Sequence, residues 1–284
     1  MGAGAGWQHV LLVRCLYLDL DGTLLGPGGS LFHDADGTVS ALGARAVEAC
    51  LRAGVELVPV SGRRGTNVRE DARLLGARSF VFEAGACVVL DGEEHWLTAP
   101  WLPRDGRSVY DQLAGTGAPE LLLERFAGRL EHHSPWHLDR EVSHLFRGLI
   151  DTAEAELLLC EHGHQDLRLV DNGKADRRSA ALAGLPQVRV YHLVPSGASK
   201  ARAVAAHRRM SGYAREECVA VGDSREDLRM AGEVGAFWLV ANALEADPTL
   251  RDELARVPGL RIAEGRNGAG VYEAVVTTLA EARA

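Results

Sequence analysis

Residues 16–25 read Leu-Tyr-Leu-Asp-Leu-Asp-Gly-Thr-Leu-Leu, and no other stretch constrains the fold of this chain as tightly. Residues 10–18 are apolar, β-branched or aromatic apart from Arg14, which predicts a buried strand. That strand runs into Asp19 and Asp21, two positions apart, and then a Gly-Thr turn. Strand side chains alternate faces, so both carboxylates leave the strand end on the same side. The carboxyl ends of buried parallel strands are where open α/β sheets bind ligands. Two acids placed together there are costly unless a cation or a proton separates their charges.

Residues 34–38, Asp-Ala-Asp-Gly-Thr, repeat the same letters in a different setting. They follow a Gly/Ser-containing loop rather than a strand, and they precede an Ala-rich amphipathic run at 39–53. The expectation there is a helix, with Asp36 or Thr38 as its N-cap and no chemistry.

Alternation sets the fold class. After the first strand and the 39–53 helix come a strand at 55–60, a polar helix at 66–75 and a strand at 79–82. The rhythm returns with a helix at 198–210, a strand at 218–221, a helix at 225–232, a strand at 236–240 and a helix at 271–284. This predicts a Rossmann-like, doubly wound parallel sheet. Residues 87–190 break the rhythm, with strand-like runs at 157–159 and 167–170, which predicts an inserted α+β domain. The expected organisation is a core of 1–86 and 191–284 around an inserted cap of 87–190.

Composition excludes several function classes. With 39 acidic against 31 basic residues and a net charge of −8, the chain lacks the basic face that a nucleic-acid partner needs. No apolar run reaches membrane-spanning length, and the first residues lack the basic start and apolar core of a secretory signal. The five cysteines are scattered without a CxxC pair, which predicts buried free thiols in a reducing compartment; the expected location is the cytoplasm. His132, His133, His137, His144, His162 and His164 match no zinc spacing, so cap surface or substrate contacts are expected of them.

Three further strand-to-helix junctions carry chemistry. Ser61-Gly62 ends the 55–60 strand and offers a hydroxyl and free amides to an anion. Lys200 opens a helix, where it opposes the macrodipole and so calls for a local anionic partner. Asp223 ends the 218–221 strand, and Asp227 lies one turn into the next helix, so both can converge on one cation.

With these four junctions in this order, the chain resembles the haloacid-dehalogenase-like (HAD) hydrolase superfamily over both core segments. Asp19-Leu-Asp21-Gly-Thr23 looks like its first motif, Ser61 its second, Lys200 its third, and Gly222-Asp223 with Asp227 its fourth. The resemblance implies that Asp19 is the nucleophile that takes the phosphoryl group and Asp21 the general acid/base. Thr23 would fix the loop, Ser61, Gly62 and Lys200 would hold phosphoryl oxygens, and Mg²⁺ would sit among Asp19, Asp21, Asp223 and Asp227. An insertion between Ser61 and Lys200 is similar to the C2-capped IIB branch of Cof-type, sucrose-phosphate and mannosyl-3-phosphoglycerate phosphatases. Ala241-Asn242-Ala243 resembles that branch's Asn-Ala segment near the phosphate loop. Ala84 and Glu226 depart from the branch, standing where many members have Asn.

The resemblance implies a phosphatase for a small phosphorylated metabolite, a sugar phosphate or a glycosyl-phosphoglycerate. A phosphosugar mutase of the same fold and a non-catalytic binding module are the alternatives, and nothing in the sequence speaks to oligomeric state. In the cap, Arg140 and Arg147 are seven apart, which on a helix puts them on one face with Ser143 and His144 between them. These four are the expected substrate contacts.

Overall fold

The computed structural model describes residues 12–175, 179–257 and 259–282; residues 10–11 of the expected first strand and 283–284 of the closing helix lie outside them. The chain begins with β1 (Cys15–Leu18), α1 (Leu42–Ala53), β2 (Glu56–Pro59), α2 (Gly65–Leu75), β3 (Phe80–Phe82), β4 (Cys87–Leu90) and β5 (Glu93–Trp96). The middle holds α3 (Val109–Ala114), α4 (Ala118–Arg125), β6 (Leu130–His132), β7 (His144–Gly148), α5 (Thr152–Glu161), β8 (Leu167–Lys174) and β9 (Arg189–Pro195). The chain closes with α6 (Lys200–Met210), β10 (Cys218–Gly222), α7 (Arg225–Leu228), β11 (Ala236–Leu239), α8 (Asn242–Ala246), α9 (Arg251–Leu254), β12 (Leu260–Ile262) and α10 (Asn267–Glu281).

Five parallel strands in the order β12-β11-β10-β1-β2 form the core sheet. All four residues of β1 are buried, because helices cover both faces of the sheet. Leu16, Leu18, Leu57 and Val221 pack with Ala46 and Val47 of α1 and Val271 and Ala274 of α10. Cys15, Tyr17, Val58 and Ala220 face the other way, onto Ala203 and Val204 of α6 and Leu228 of α7. Period-2 strands sandwiched by helices give the near-continuous apolar runs seen in the sequence. The doubly wound α/β core is therefore present.

The inserted domain is an antiparallel sheet, β6-β7-β9-β8, packed against helices α3, α4 and α5. Backbone pairing draws its edges differently from the expected 87–190. The β4-β5 hairpin continues from β3 of the core side, and β9 joins the cap sheet through Pro195.

Three local expectations are corrected. Residues 157–159 are helical, within α5: Asp151 caps the helix by accepting from the Ala153 amide at 2.8 Å, and Ala155 and Leu159 bury one face while Leu157 stays exposed. Three consecutive leucines thus wrap around a helix instead of lining a strand. Arg140 and Arg147 do not share a helix, because 144–148 pair with β9 as β7 and Arg140 lies in the preceding loop. Heptad spacing alone could not outweigh two strand partners. Asp36 does not cap α1, which starts at Leu42 behind Ala41; its carboxylate closes a local turn by accepting from the Thr38 amide and hydroxyl at 2.9 and 2.6 Å.

Candidate active site

The turn after β1 brings the first acids to the carboxyl edge of the sheet. The Asp19 amide continues the β1–β10 ladder by donating to Val221 O at 3.1 Å, and the chain then turns tightly, the Leu25 amide reaching Leu20 O at 2.9 Å. Gly22 takes φ +84, and a Cβ there would overlap the Asp223 carboxylate, so only glycine lets the two strand-end loops meet.

Five side chains then gather. Lys200 Nζ donates to Asp19 Oδ1 and Asp227 Oδ1, each at 2.7 Å, and all three side chains are almost fully buried. Thr23 Oγ1 is the fourth group and bridges two acids, 2.9 Å from Asp19 Oδ2 and 3.2 Å from Asp223 Oδ1. Asp227 Oδ2 closes the first turn of α7, accepting from the Ser224 amide at 3.0 Å and its hydroxyl at 2.6 Å. Lys200 itself follows the N-cap Ser199, whose hydroxyl accepts from the Arg202 amide. A lysine in a first turn is electrostatically disfavoured, and here the two carboxylates facing it supply the compensation.

The balance of charge is the informative feature. Oxygens of Asp19, Asp223 and Asp227 all lie within 4.8 Å of one another, with a single ammonium among them. Burial pushes the Asp19 carboxyl up to about 7 against the pull of Lys200, with Asp227 and Asp21 adding repulsion. Burial also drives Asp223 well above the carboxylate range, reinforced by Asp19 and Asp227. Burial opposes charge on Lys200, but Asp19 and Asp227 outweigh it and raise its pKa. Two buried carboxylates and a partly buried third around one lysine are under-compensated, and an all-oxygen set of this kind suits a hard divalent cation. The residues present fit such an ion.

Two expected members sit elsewhere. Asp21 is not in the acid cluster: its carboxylate is half exposed and held by Arg63, whose Nε and Nη2 donate to its two oxygens at 2.7 and 2.5 Å. Asn242 does not offer its amide to an anion; its Nδ2 donates to Gly22 O at 2.8 Å and its Oδ1 accepts from the Asn267 amide at 2.9 Å, bracing the Gly22 loop.

Ser61 is buried at the end of the β2 segment, and its Oγ accepts from the Arg63 amide at 3.2 Å. A Cβ on Gly62 would stand 2.9 Å from His192 Nε2, so the cap presses directly on this turn. Arg140 crosses the same junction, its Nη2 donating to Gly62 O at 2.6 Å and its Nε to Ser143 Oγ at 2.8 Å. Glu83, fully buried at φ +46, accepts from the amides of Glu141, Val142 and Ser143 and stands 3.5 Å from Arg140 Nε. Ser143 Oγ also lies 3.1 Å from His192 Nδ1.

The four cap residues expected to touch substrate are therefore engaged inside the protein. Arg140 and Ser143 belong to the Glu83 network, His144 stacks on Tyr110 at 3.9 Å and pairs with its carbonyl, and Arg147 pairs with Glu131 at 2.6 Å. Each of the four has a partner within the protein. The same is true of Glu226, whose carboxylate meets Arg168 of β8 at 3.1 Å and Arg229 at 3.2 Å, so the charge added beside the acids is neutralised from the cap. Ala84 keeps φ +58, a left-handed conformation that asparagine tolerates better than alanine. None of the six cap histidines enters a group of three potential metal ligands among the described residues.

Sequence reasoning passed over Arg63, Glu83 and His192. Glu83 carried a readable signal, since an acid directly after the apolar Phe-Val-Phe strand obeys the same logic as Asp19. Arg63 and His192 carried none, because their partners are 42 and 49 residues away in the chain.

No protein-family model matches the chain. A phosphoglycolate phosphatase from Methanoculleus marisnigri is 25% identical over 235 residues, covering 82% of this chain and 86% of that protein. Among solved structures, the sucrose-phosphatase of Synechocystis sp. PCC6803, in complex with sucrose and phosphate, superposes with a TM-score of 0.61 at 15% identity, covering 94% of this chain and 98% of that one. A HAD-superfamily phosphatase from Bacteroides thetaiotaomicron gives a TM-score of 0.62 at 16% identity over 97% and 98% of the two chains. A HAD subclass IIB sugar phosphatase gives 0.60 at 15% identity over 93% and 98%. The five-stranded parallel core with its inserted antiparallel cap is the fold these structures share.

Proposed function

We propose that this chain, of the HAD type by its fold and its four strand-end motifs, is a Mg²⁺-dependent phosphatase that works through an aspartyl-phosphate. The substrate class is a small phosphorylated metabolite, with a sugar phosphate or a glycosyl-phosphoglycerate favoured by the C2-type cap. The observation that carries the reading is the set of buried Asp19, Asp227, Thr23 and Lys200 with the partly buried Asp223, three acids around one lysine at the carboxyl edge of the sheet.

Asp19 is the attacking carboxylate. Its Oδ1 and Oδ2 are fixed by Lys200 and Thr23, so the group is aimed without further ordering. Lys200 also offsets the repulsion between a carboxylate and an anionic phosphoryl group, aided by the Ser61 hydroxyl and the amides of its turn. Asp227 holds Lys200 and caps α7, and Asp223 with Asp19 would hold the ion. The ion, when bound, neutralises charge on the transferring phosphoryl oxygens. Asp21 serves as general acid and base, protonating the departing alcohol and then activating water. For this its carboxylate must turn away from Arg63 toward the reacting oxygen.

The test is phosphate release by the purified protein across sugar phosphates, glycosyl-phosphoglycerates and phosphoglycolate, the last because of the Methanoculleus relative. Activity with Mg²⁺ that chelation abolishes is the expected result. Turnover unchanged after exhaustive chelation would remove the metal assignment, and a requirement for a bisphosphate activator would point to a mutase.

A further inference from the structure

The opposite edge of the core sheet holds a second cluster of donors that the phosphoryl chemistry leaves unused. Cys15 on β1 is the register partner of Glu56 on β2 and of Cys218 on β10. Register partners on parallel strands point to the same face, so three adjacent strands present a thiol, a thiol and a carboxylate at one level. Helix α6 lies over that face and lowers His207 onto it, with Nε2 3.6 Å from Glu56 Oε1. One donor atom from each of Cys15, Glu56 and His207 lies within 4.8 Å of the other two. Cys15 and His207 are fully buried, while the Glu56 side chain keeps 18% of its exposure.

The three donors are oriented by groups outside the cluster. The Tyr17 hydroxyl lies 2.9 Å from His207 Nδ1, which leaves Nε2 as the nitrogen turned toward Glu56. Ser79 Oγ and Tyr213 OH donate to the two Glu56 oxygens at 2.7 and 2.8 Å. Outer hydrogen bonds of this kind set the tautomer and aim of metal-ligating side chains. Cys218 stands beside Cys15 as its register partner on β10. A cavity of about 470 Å³, lined in part by Glu56, Ser211 and Tyr213, reaches Glu56, while Cys15 and His207 lie behind it in the core. A core polar network built only for stability needs neither a thiol in the donor set nor a cavity ending at its carboxylate.

We propose that Cys15, Glu56 and His207 form a second metal site, with a sulfur–nitrogen–oxygen donor set suited to zinc and separate from the acid cluster at the other end of β1. Asp19 lies four residues beyond Cys15, roughly 13 Å of extended chain, so the two clusters cannot share an ion. Tetrahedral zinc with bonds of about 2.0–2.3 Å holds its ligand atoms roughly 3.5 Å apart, so small side-chain rotations close the present spacing. Binding converts the Cys15 thiol to a thiolate bonded to the metal and releases its proton to solvent. The neutral imidazole and the Glu56 carboxylate supply the other two bonds, leaving one position open. The acid cluster, all oxygen, prefers Mg²⁺, and this one prefers a softer ion.

The experiment is titration of the chelator-treated full-length protein with Co²⁺, a spectroscopic substitute for zinc. The readout is the near-ultraviolet thiolate-to-cobalt charge-transfer absorption, to which the oxygen-only acid cluster is blind. One equivalent per chain should develop the band, and Zn²⁺ should displace it whereas Mg²⁺ should not. Cys15→Ser should abolish the band, and Cys160→Ser, at the exposed free cysteine, should retain it. Wild-type protein that binds Co²⁺ without the band overturns the proposal and needs no variant to fold. A band that survives in Cys15→Ser but not in Cys160→Ser overturns it as well, by placing the metal on the surface.

Discussion

The carboxyl edge of the core and the cap above it are both rich in charge, yet they use it in opposite ways. At the core edge, Asp19, Asp223 and Asp227 share one lysine, and burial, reinforced by neighbouring acids, pushes the Asp19 and Asp223 carboxyls upward. In the cap, each charge singled out has a counter-charge within reach: Arg140 with Glu83, Arg147 with Glu131, Arg168 with Glu226, and Arg189 with Asp171. Charges that neutralise one another are spent on geometry, whereas an under-compensated buried group awaits a ligand. On the proposed function, the difference separates the reacting site from the frame around it.

The sharpest way to break this contrast is at the core carboxylates. Asp19→Asn should abolish turnover while far-UV circular dichroism stays native, because an amide cannot form the acyl-phosphate. Asp21→Asn should lower kcat by roughly a hundredfold or more, the usual cost of losing a general acid/base. Arg63→Ala should cost much less than either, since it removes the resting partner of Asp21 and an ion pair to Asp71 but no reacting group. Wild-type rates in Asp19→Asn would mean that the wrong charge deficit was read as the site.

Arg140→Ala comes next and should act on stability first. It removes the counter-charge of the buried Glu83 carboxylate, which keeps the amides of Glu141, Val142 and Ser143, a loss of roughly 1–3 kcal/mol readable in urea unfolding. Because Arg140 grips Gly62 O, kcat/KM for a sugar phosphate and for p-nitrophenyl phosphate should fall together. A fall confined to the sugar phosphate would make Arg140 a substrate contact and erase the distinction drawn above.

A smaller effect is expected in the pH dependence of stability. Burial, aided by Arg147 and Arg140, lowers the His133 pKa from 6.5 to about 4, so the folded state keeps the ring neutral. The unfolded chain binds that proton first, and stability should therefore fall as pH drops from 6.5 toward 4. His133→Gln should flatten that part of the profile, measured as Tm against pH; an unaltered slope would place the titration elsewhere. Smallest of all, Asp36→Asn should leave turnover unchanged and Tm nearly so, because its carboxylate serves only an exposed turn.

The sequence by itself determined the doubly wound core and the order of its strand-end residues. Strand and helix periodicities are local, and a nucleophile at a strand terminus is placed by the same few residues that form the strand. Asp19, Thr23, Lys200, Asp223 and Asp227 could be picked out for that reason. What the tertiary structure alone decided is which charges are spoken for. Arg63 takes Asp21, Glu83 takes Arg140, and Arg168 takes Glu226, each across 42 to 58 residues of chain. It also turned residues 140–147 from an expected helix face into a loop and a strand, through pairing of β7 with β9. Spacing along a chain records periodicity, but compensation of charge depends on distance in space, and only the folded molecule fixes that.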